Sequence, residues 1–194
     1  RALRLAGLNV DDVSLIDLYS CFPSAVQLGA ASLGLDLTRQ LTLTGGLSFA
    51  GGPWNNYVMH AIATAMVRLR EQPGERALIW ANGGYATKHA FGTYATTPPT
   101  GGFKHESLQS EVDALAKREL AVGDDAHGAA VVEAYTVMHD RSGAPERLIA
   151  AALLDDGRRA WVNVADAALA AEFTIGEQVG RRVVLRRSGE LQSA

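Results

Sequence analysis

The chain of 194 residues contains one cysteine, Cys21, so an internal disulfide is excluded. It has no run approaching the roughly 20 apolar residues of a membrane span. It has no excess of charge: 18 Lys or Arg stand against 21 Asp or Glu, a net charge of −3 with a pI near 6.0. Such a balance gives no general field for nucleic acid or anionic membrane. Histidine is sparse as well, and His105, His127 and His139 have no Cys or carboxylate partners at metal-ligand intervals, so no metal site is expected. What remains is an ordinary globular composition, 47% hydrophobic and 20% charged, which allows one large or two small domains with a sizeable core. A cytoplasmic location is expected. The chain starts at Arg1 without methionine, in what reads as the end of a helix, RALRLAGL, and is expected to be part of a longer polypeptide.

Glycine is where the sequence is most informative. Thr42–Tyr57, TLTGGLSFAGGPWNNY, sets two glycine pairs and a proline between a β-branched run and an apolar helical pattern. Two such pairs indicate a shaped loop that approaches another group closely. The loop opens onto a helix, with Asn55 or Asn56 as N-cap, so free backbone N–H groups would face an anion or oxyanion. No Lys-Ser or Lys-Thr follows, and the GxGxxG spacing is missing, which excludes a Walker loop and a dinucleotide fingerprint.

The periodicities predict a strand over Val13–Leu18, a helix over Pro23–Leu33 ending at Gly34, and a second strand over Gln40–Thr44. A mostly buried helix over Tyr57–Arg70, a strand over Ala77–Ala81 and an edge strand over Thr87–Thr96 follow. Strands alternating with helices predict a layered α/β sheet. TPPTGGF at Thr97–Phe103 is the clearest linker signal, and Glu106–Glu119 has a charged helical pattern. Thereafter come short strands at Ala129–Met138, Arg147–Leu154, Ala160–Val164 and Arg182–Leu185, with a small helix at Asp166–Glu172. That texture suits a small β-barrel of OB type. The expected organisation is an α/β domain over 1–96, a linker and helix over 97–120, and the barrel-like domain over 121–194.

DLYSCF at Asp17–Phe22, GGLSFAGGP at Gly45–Pro53 and ANGGY at Ala81–Tyr85, in this order and spacing, resemble the C-terminal half of the thiolase superfamily. The part beyond Thr96 resembles the additional OB-like C-terminal domain of type 1 thiolase-like proteins. The resemblance implies half of a thiolase-type layered fold followed by a small barrel. It also implies an acyl-CoA acyltransferase that makes or breaks a C–C bond in fatty-acid or sterol side-chain metabolism, with a coenzyme A thioester as substrate or ligand and no permanently bound cofactor. The family's nucleophilic cysteine lies in the N-terminal half, so that half of the same polypeptide is the implied partner.

The departures are as informative as the matches. The family's Asn or His of the first element falls on Tyr19, its loop histidine on Gly52, and its third-element cysteine on Ala81. Glycine and alanine exchange no protons. The alternative is therefore an acyl-CoA-binding or partner-docking module that has lost thiolase catalysis.

Two side chains are catalytic candidates. Cys21 stands between a strand and a helix, where the dipole would favour a thiolate, and the sterol-carrier-protein thiolases carry a cysteine at the same place; its bland role is a small apolar residue beside Phe22. His89, with Lys88, could set a base and a cation at a pocket mouth, or be a solvated edge histidine. Substrate contacts are expected from Tyr19, Gly51, Gly52, Pro53, Asn55, Asn56, Asn82, Gly83, Gly84 and Tyr85, the two Asn amides also serving as caps. His60 reads as a core histidine. From Ala121 onward eight Lys or Arg stand against eleven Asp or Glu, so no basic groove for single-stranded nucleic acid is expected. The barrel-like part is instead a possible surface for a protein partner or a second copy.

Overall fold

The computed structural model describes residues 1–187 and 190–193 and divides into two compact units, Arg1–Gln109 and Ser110–Ala194. The expected barrel range to 194 thus includes positions outside the described residues.

The first unit contains α1 (Ala2–Leu5), β1 (Leu15–Asp17), α2 (Pro23–Leu33), α3 (Leu47–Ala50), α4 (Tyr57–Glu71), β2 (Arg76–Gly83) and β3 (Lys88–Ala95). β1 pairs parallel with β2, with Ile16 opposite Leu78, and β2 pairs antiparallel with β3. Because strand side chains alternate, β2 sends Leu78 and Trp80 into a cluster with Val13, Ile16, Leu18, Ala25 and Ala30. It sends Ala77 and Ile79 into another with Tyr57, Ala61, Ala65 and Leu69. One helix layer therefore covers each face, as the alternation of strands and helices predicts. Gly29 makes the α2 side close: a Cβ there would lie 2.8 Å from the Trp80 ring.

Two expectations in this unit need correction. Tyr57–Arg70 is a helix, but only the i, i+4 stripe Tyr57, Ala61, Ala65 and Leu69 is buried, while Met59 and Val67 are exposed. The single sheet it meets covers one stripe. Gln40–Thr44 joins no ladder; it runs extended beside β1, where Leu18 N–H donates to Leu41 O at 2.8 Å and Leu43 N–H donates to a side chain, Asp17 Oδ2, at 2.7 Å. A carboxylate has taken the place of a strand partner.

The second unit opens within α5 (Gln109–Asp113), the only helical part of the stretch expected as a helix over Glu106–Glu119. Val112 and Leu115 are exposed, and a short helix without a buried face does not propagate. Then come β4 (Leu120–Ala121), β5 (Gly128–His139), β6 (Pro145–Leu154), β7 (Arg159–Val164), α6 (Ala167–Glu172), β8 (Arg182–Leu185) and β9 (Leu191–Ser193). They form one sheet of order β4-β7-β6-β5-β8-β9, curled into a half-barrel. The core carries small residues, Ala130, Ala150, Ala152 and Ala160, beside Val132, Leu148, Val162 and Val183. β5 breaks register between Val132 and Ala134, and such a bulge bends a strand. α6 is capped by Asp166, whose carboxylate accepts from Ala168 and Leu169 N–H, and it delivers Phe173, 1% exposed, into the half-barrel.

Candidate functional site

The three motifs meet around the end of β1. Asp17, the last residue of that strand, is fully buried. Its Oδ2 accepts from Leu43 N–H, and its carboxylate accepts from the Tyr57 hydroxyl at 3.1 Å. The Tyr57 hydroxyl also lies 2.8 Å from Thr44 Oγ1, which accepts from Gly46 N–H at 3.0 Å. Ser20 Oγ accepts from Leu47 N–H at 3.1 Å. The first motif thus holds the start of the glycine loop at several points. Burial pushes the Asp17 carboxyl above the ordinary carboxylate range, although the Leu43 N–H, the Tyr57 hydroxyl and the Thr44 N–H oppose it. Burial likewise raises the Tyr57 phenol.

Gly46 explains why the loop needs glycine. Its φ is +84°, and a Cβ would come 2.5 Å from Ser20 Oγ. A side chain there would push away the hydroxyl that holds Leu47. Gly52 differs: a Cβ would meet only Leu47 Cδ2, at 3.6 Å, so the backbone leaves room for a side chain that the sequence does not supply.

The third motif reaches the first through Asn82. Its Nδ2 donates to Cys21 Sγ at 3.7 Å, while its Oδ1 is buried without a hydrogen-bond partner. Rotating the amide by half a turn would exchange which atom is left over, so one polar atom beside the thiol is orphaned in either orientation. Cys21 itself is exposed. Tyr19, half-buried, meets Tyr57 edge-on at 5.4 Å between ring centres, and burial together with the neighbouring Cys21 raises its phenol.

His89 is engaged on both nitrogens. Nδ1 accepts from Trp80 Nε1–H at 3.1 Å and Nε2 lies 2.9 Å from Ala86 O, which fixes the neutral tautomer with its proton on Nε2. Its ring stacks on Trp80, with Phe91 beyond at 6.3 Å. In this arrangement the imidazole has no lone pair free to accept a proton.

The remaining residues singled out by sequence stay outside this cluster. Gly51, Gly52, Pro53, Asn55 and Asn56 are exposed, and Asn56, although at the N-cap of α4, makes no side-chain cap. Gly83 and Gly84 carry the turn from β2 to β3, and Tyr85 stands 99% exposed at its tip. Asp17, Ser20, Thr44 and Tyr57 were missed as a network. The available signal was an acidic residue closing the apolar run VSLID. Among the described residues no group of three or more His, Cys, Asp or Glu is arranged to hold a metal ion, and no helix is long and apolar enough to cross a membrane.

Residues 107–190 match the family model of the thiolase-like protein type 1 additional C-terminal domain. The chain is also similar in structure to a monomeric SCP2-thiolase like protein type 1 from Mycobacterium smegmatis, with 39% sequence identity and a TM-score of 0.85. That match covers 98% of this chain and 42% of the other, so the chain spans less than half the length of the protein it resembles. No curated protein matches it significantly.

Proposed function

Because the chain belongs to the type 1 thiolase-like proteins, we propose that it binds the acyl-CoA thioesters on which thiolases act without supplying thiolase proton transfer. The observation that carries this reading is the pairing of an orphaned Asn82 amide atom with proton-transfer positions that are empty or engaged. The leftover amide group is suited to a donor or acceptor of a thioester's amide-bearing arm. Gly52 and Ala81 have no ionisable side chain, and His89 spends both ring nitrogens internally. The neutral hydrogen bonds and the held glycine loop orient a ligand; they move no proton.

Calorimetry of the full-length protein with acetyl-CoA and longer acyl-CoAs tests the reading. Binding that weakens about tenfold in Asn82→Ala supports it, whereas affinity unchanged by that substitution removes the site. A second reading, acyl transfer through Cys21, is favoured by the exposure of the thiol and the Asn82 amide beside it. Intact-mass spectrometry after incubation with acyl-CoA decides it: an acyl adduct lost in Cys21→Ser supports transfer, and no adduct with any chain length leaves binding alone.

A further inference from the structure

The half-barrel leaves a seam. β4 pairs only with Arg159 and Ala160 of β7, so among the described residues no strand pairs that side of β7 from Trp161 onward. The curl brings β8 round to the same place, and a concavity of about 300 Å³ opens between Gly123 and Asp124, Trp161 and Val162, and Leu185 and Arg187. Its floor is apolar, since Val162 and Leu185 are buried. Its wall is an indole: Trp161 is 63% exposed and makes no ring contact among the described residues. The rim carries one carboxylate, Asp124, and one guanidinium, Arg187, and neither side chain has a hydrogen bond or ion pair among the described residues.

From this set we infer that the seam binds an adenine nucleotide. A flat apolar wall takes the face of a base, and stacking on tryptophan contributes substantially to nucleotide affinity. A carboxylate on the rim accepts from an exocyclic amino group, as acidic side chains do toward amino-bearing bases. The Arg187 guanidinium takes a phosphate through paired N–H donors. The volume lies at the small end of the range of about 300–1,000 Å³ usual for ligand sites, suiting a mononucleotide. The acidic excess from Ala121 onward works against a long polyanion. The shared chemistry, an adenine ring with a phosphate, is offered both by a free nucleotide and by the adenosine end of coenzyme A.

The site lies in the second unit and stands apart from the thioester reading. Calorimetry of the full-length protein with AMP, adenosine, IMP, coenzyme A and a short single-stranded oligo(dA) tests it. AMP is expected to bind more tightly than adenosine and IMP, with a loss of roughly tenfold or more in Trp161→Ala. Arg187→Ala should bring AMP down to the level of adenosine, and Asp124→Asn should erase the preference for AMP over IMP. Both side chains and the indole project outward, so the variants retain the core.

Coenzyme A binding tighter than AMP, with the same dependence on Trp161, identifies the cofactor as the source. Coenzyme A no tighter than AMP identifies the free nucleotide. No binding of AMP at millimolar concentration overturns the inference, as does binding indifferent to Trp161→Ala, or an oligonucleotide that outcompetes AMP with a steep salt dependence. Thioester affinity lost in Asn82→Ala but kept in Trp161→Ala would separate failure here from failure of the first site.

Discussion

The two units bury different chemistry. In Arg1–Gln109 a carboxylate, two hydroxyls and a phenol form a connected network beneath the glycine loop, with Asp17 fully buried. In Ser110–Ala194 the charges remain outside: Glu133 pairs with Arg118 and Arg159, and Asp155 with Arg182, while the half-barrel core is apolar. A buried polar network is costly unless every member is partnered, and it fixes geometry when it is. The first unit therefore invests stability in the placement of a loop, and the second in packing. The orphaned Asn82 atom lies in the unit built for placement.

The sharpest way to break this contrast is Phe173→Ala. It should lower the stability of the second unit by about 3–5 kcal/mol, because a fully buried ring in a half-barrel leaves a cavity the strands cannot fill. Hydrogen exchange resolved by peptide should show protection falling first within Ser110–Ala194. An equal loss across both units would contradict the contrast.

Asp17→Ala attacks the other side. It leaves the Leu43 N–H and the Tyr57 hydroxyl without their acceptor, and a loss of about 2–4 kcal/mol is expected. Exchange should rise first at residues 41–47. Retention of the loop's protection would mean that Ser20 and Thr44 hold it alone.

Acid should act in opposite senses on the buried Asp17 of the first unit and on the hydrogen-bonded Glu133 and Asp140 of the second. The raised folded pKa of Asp17 means that its proton-linked stabilisation is complete below about pH 4 and is lost as pH rises through the raised value. Glu133, lowered chiefly by the Arg159 hydrogen bond, and Asp140, lowered chiefly by the Ser142 hydroxyl, stabilise above about pH 4, and that contribution is lost as pH falls through their lowered values. Between pH 7 and pH 3 the second unit should lose exchange protection relative to the first. The reverse order would assign the pH dependence to other groups.

The smallest expected effect is that of Gly52→His. A Cβ at 52 meets nothing nearer than 3.6 Å, so stability should change by no more than about 0.5 kcal/mol in thermal unfolding. A larger loss would show that the loop has closed around the glycine.

Much of the fold was legible because period and punctuation agree along the chain. Pro23 and Gly34 bracket α2, alternation marks β5 to β7, and Asp166 announces α6. The order of three short motifs carried the family. What was not legible depends on partners distant in sequence. Leu41–Leu43 looks like a strand, and only the fold shows that a carboxylate from position 17 receives its amide. The circumference of α4 looks apolar, yet one sheet covers one stripe. His89 reads as an available base until Trp80 and Ala86 O are found at its two nitrogens. The seam of the half-barrel depends on β4 ending after two residues, which no local pattern announces.

The three tryptophans sit in three separate surroundings: Trp54 is 92% exposed in the glycine loop, Trp80 is buried against His89, and Trp161 stands on the half-barrel. Each can therefore serve as a local emitter. With two of the three replaced by phenylalanine, a change in emission from Trp54 would report the loop, a change in stacking of Trp80 on His89 would report the sheet, and static quenching by a stacked base would report the seam. The chain carries one optical probe for the glycine loop, one for the sheet and one for the half-barrel.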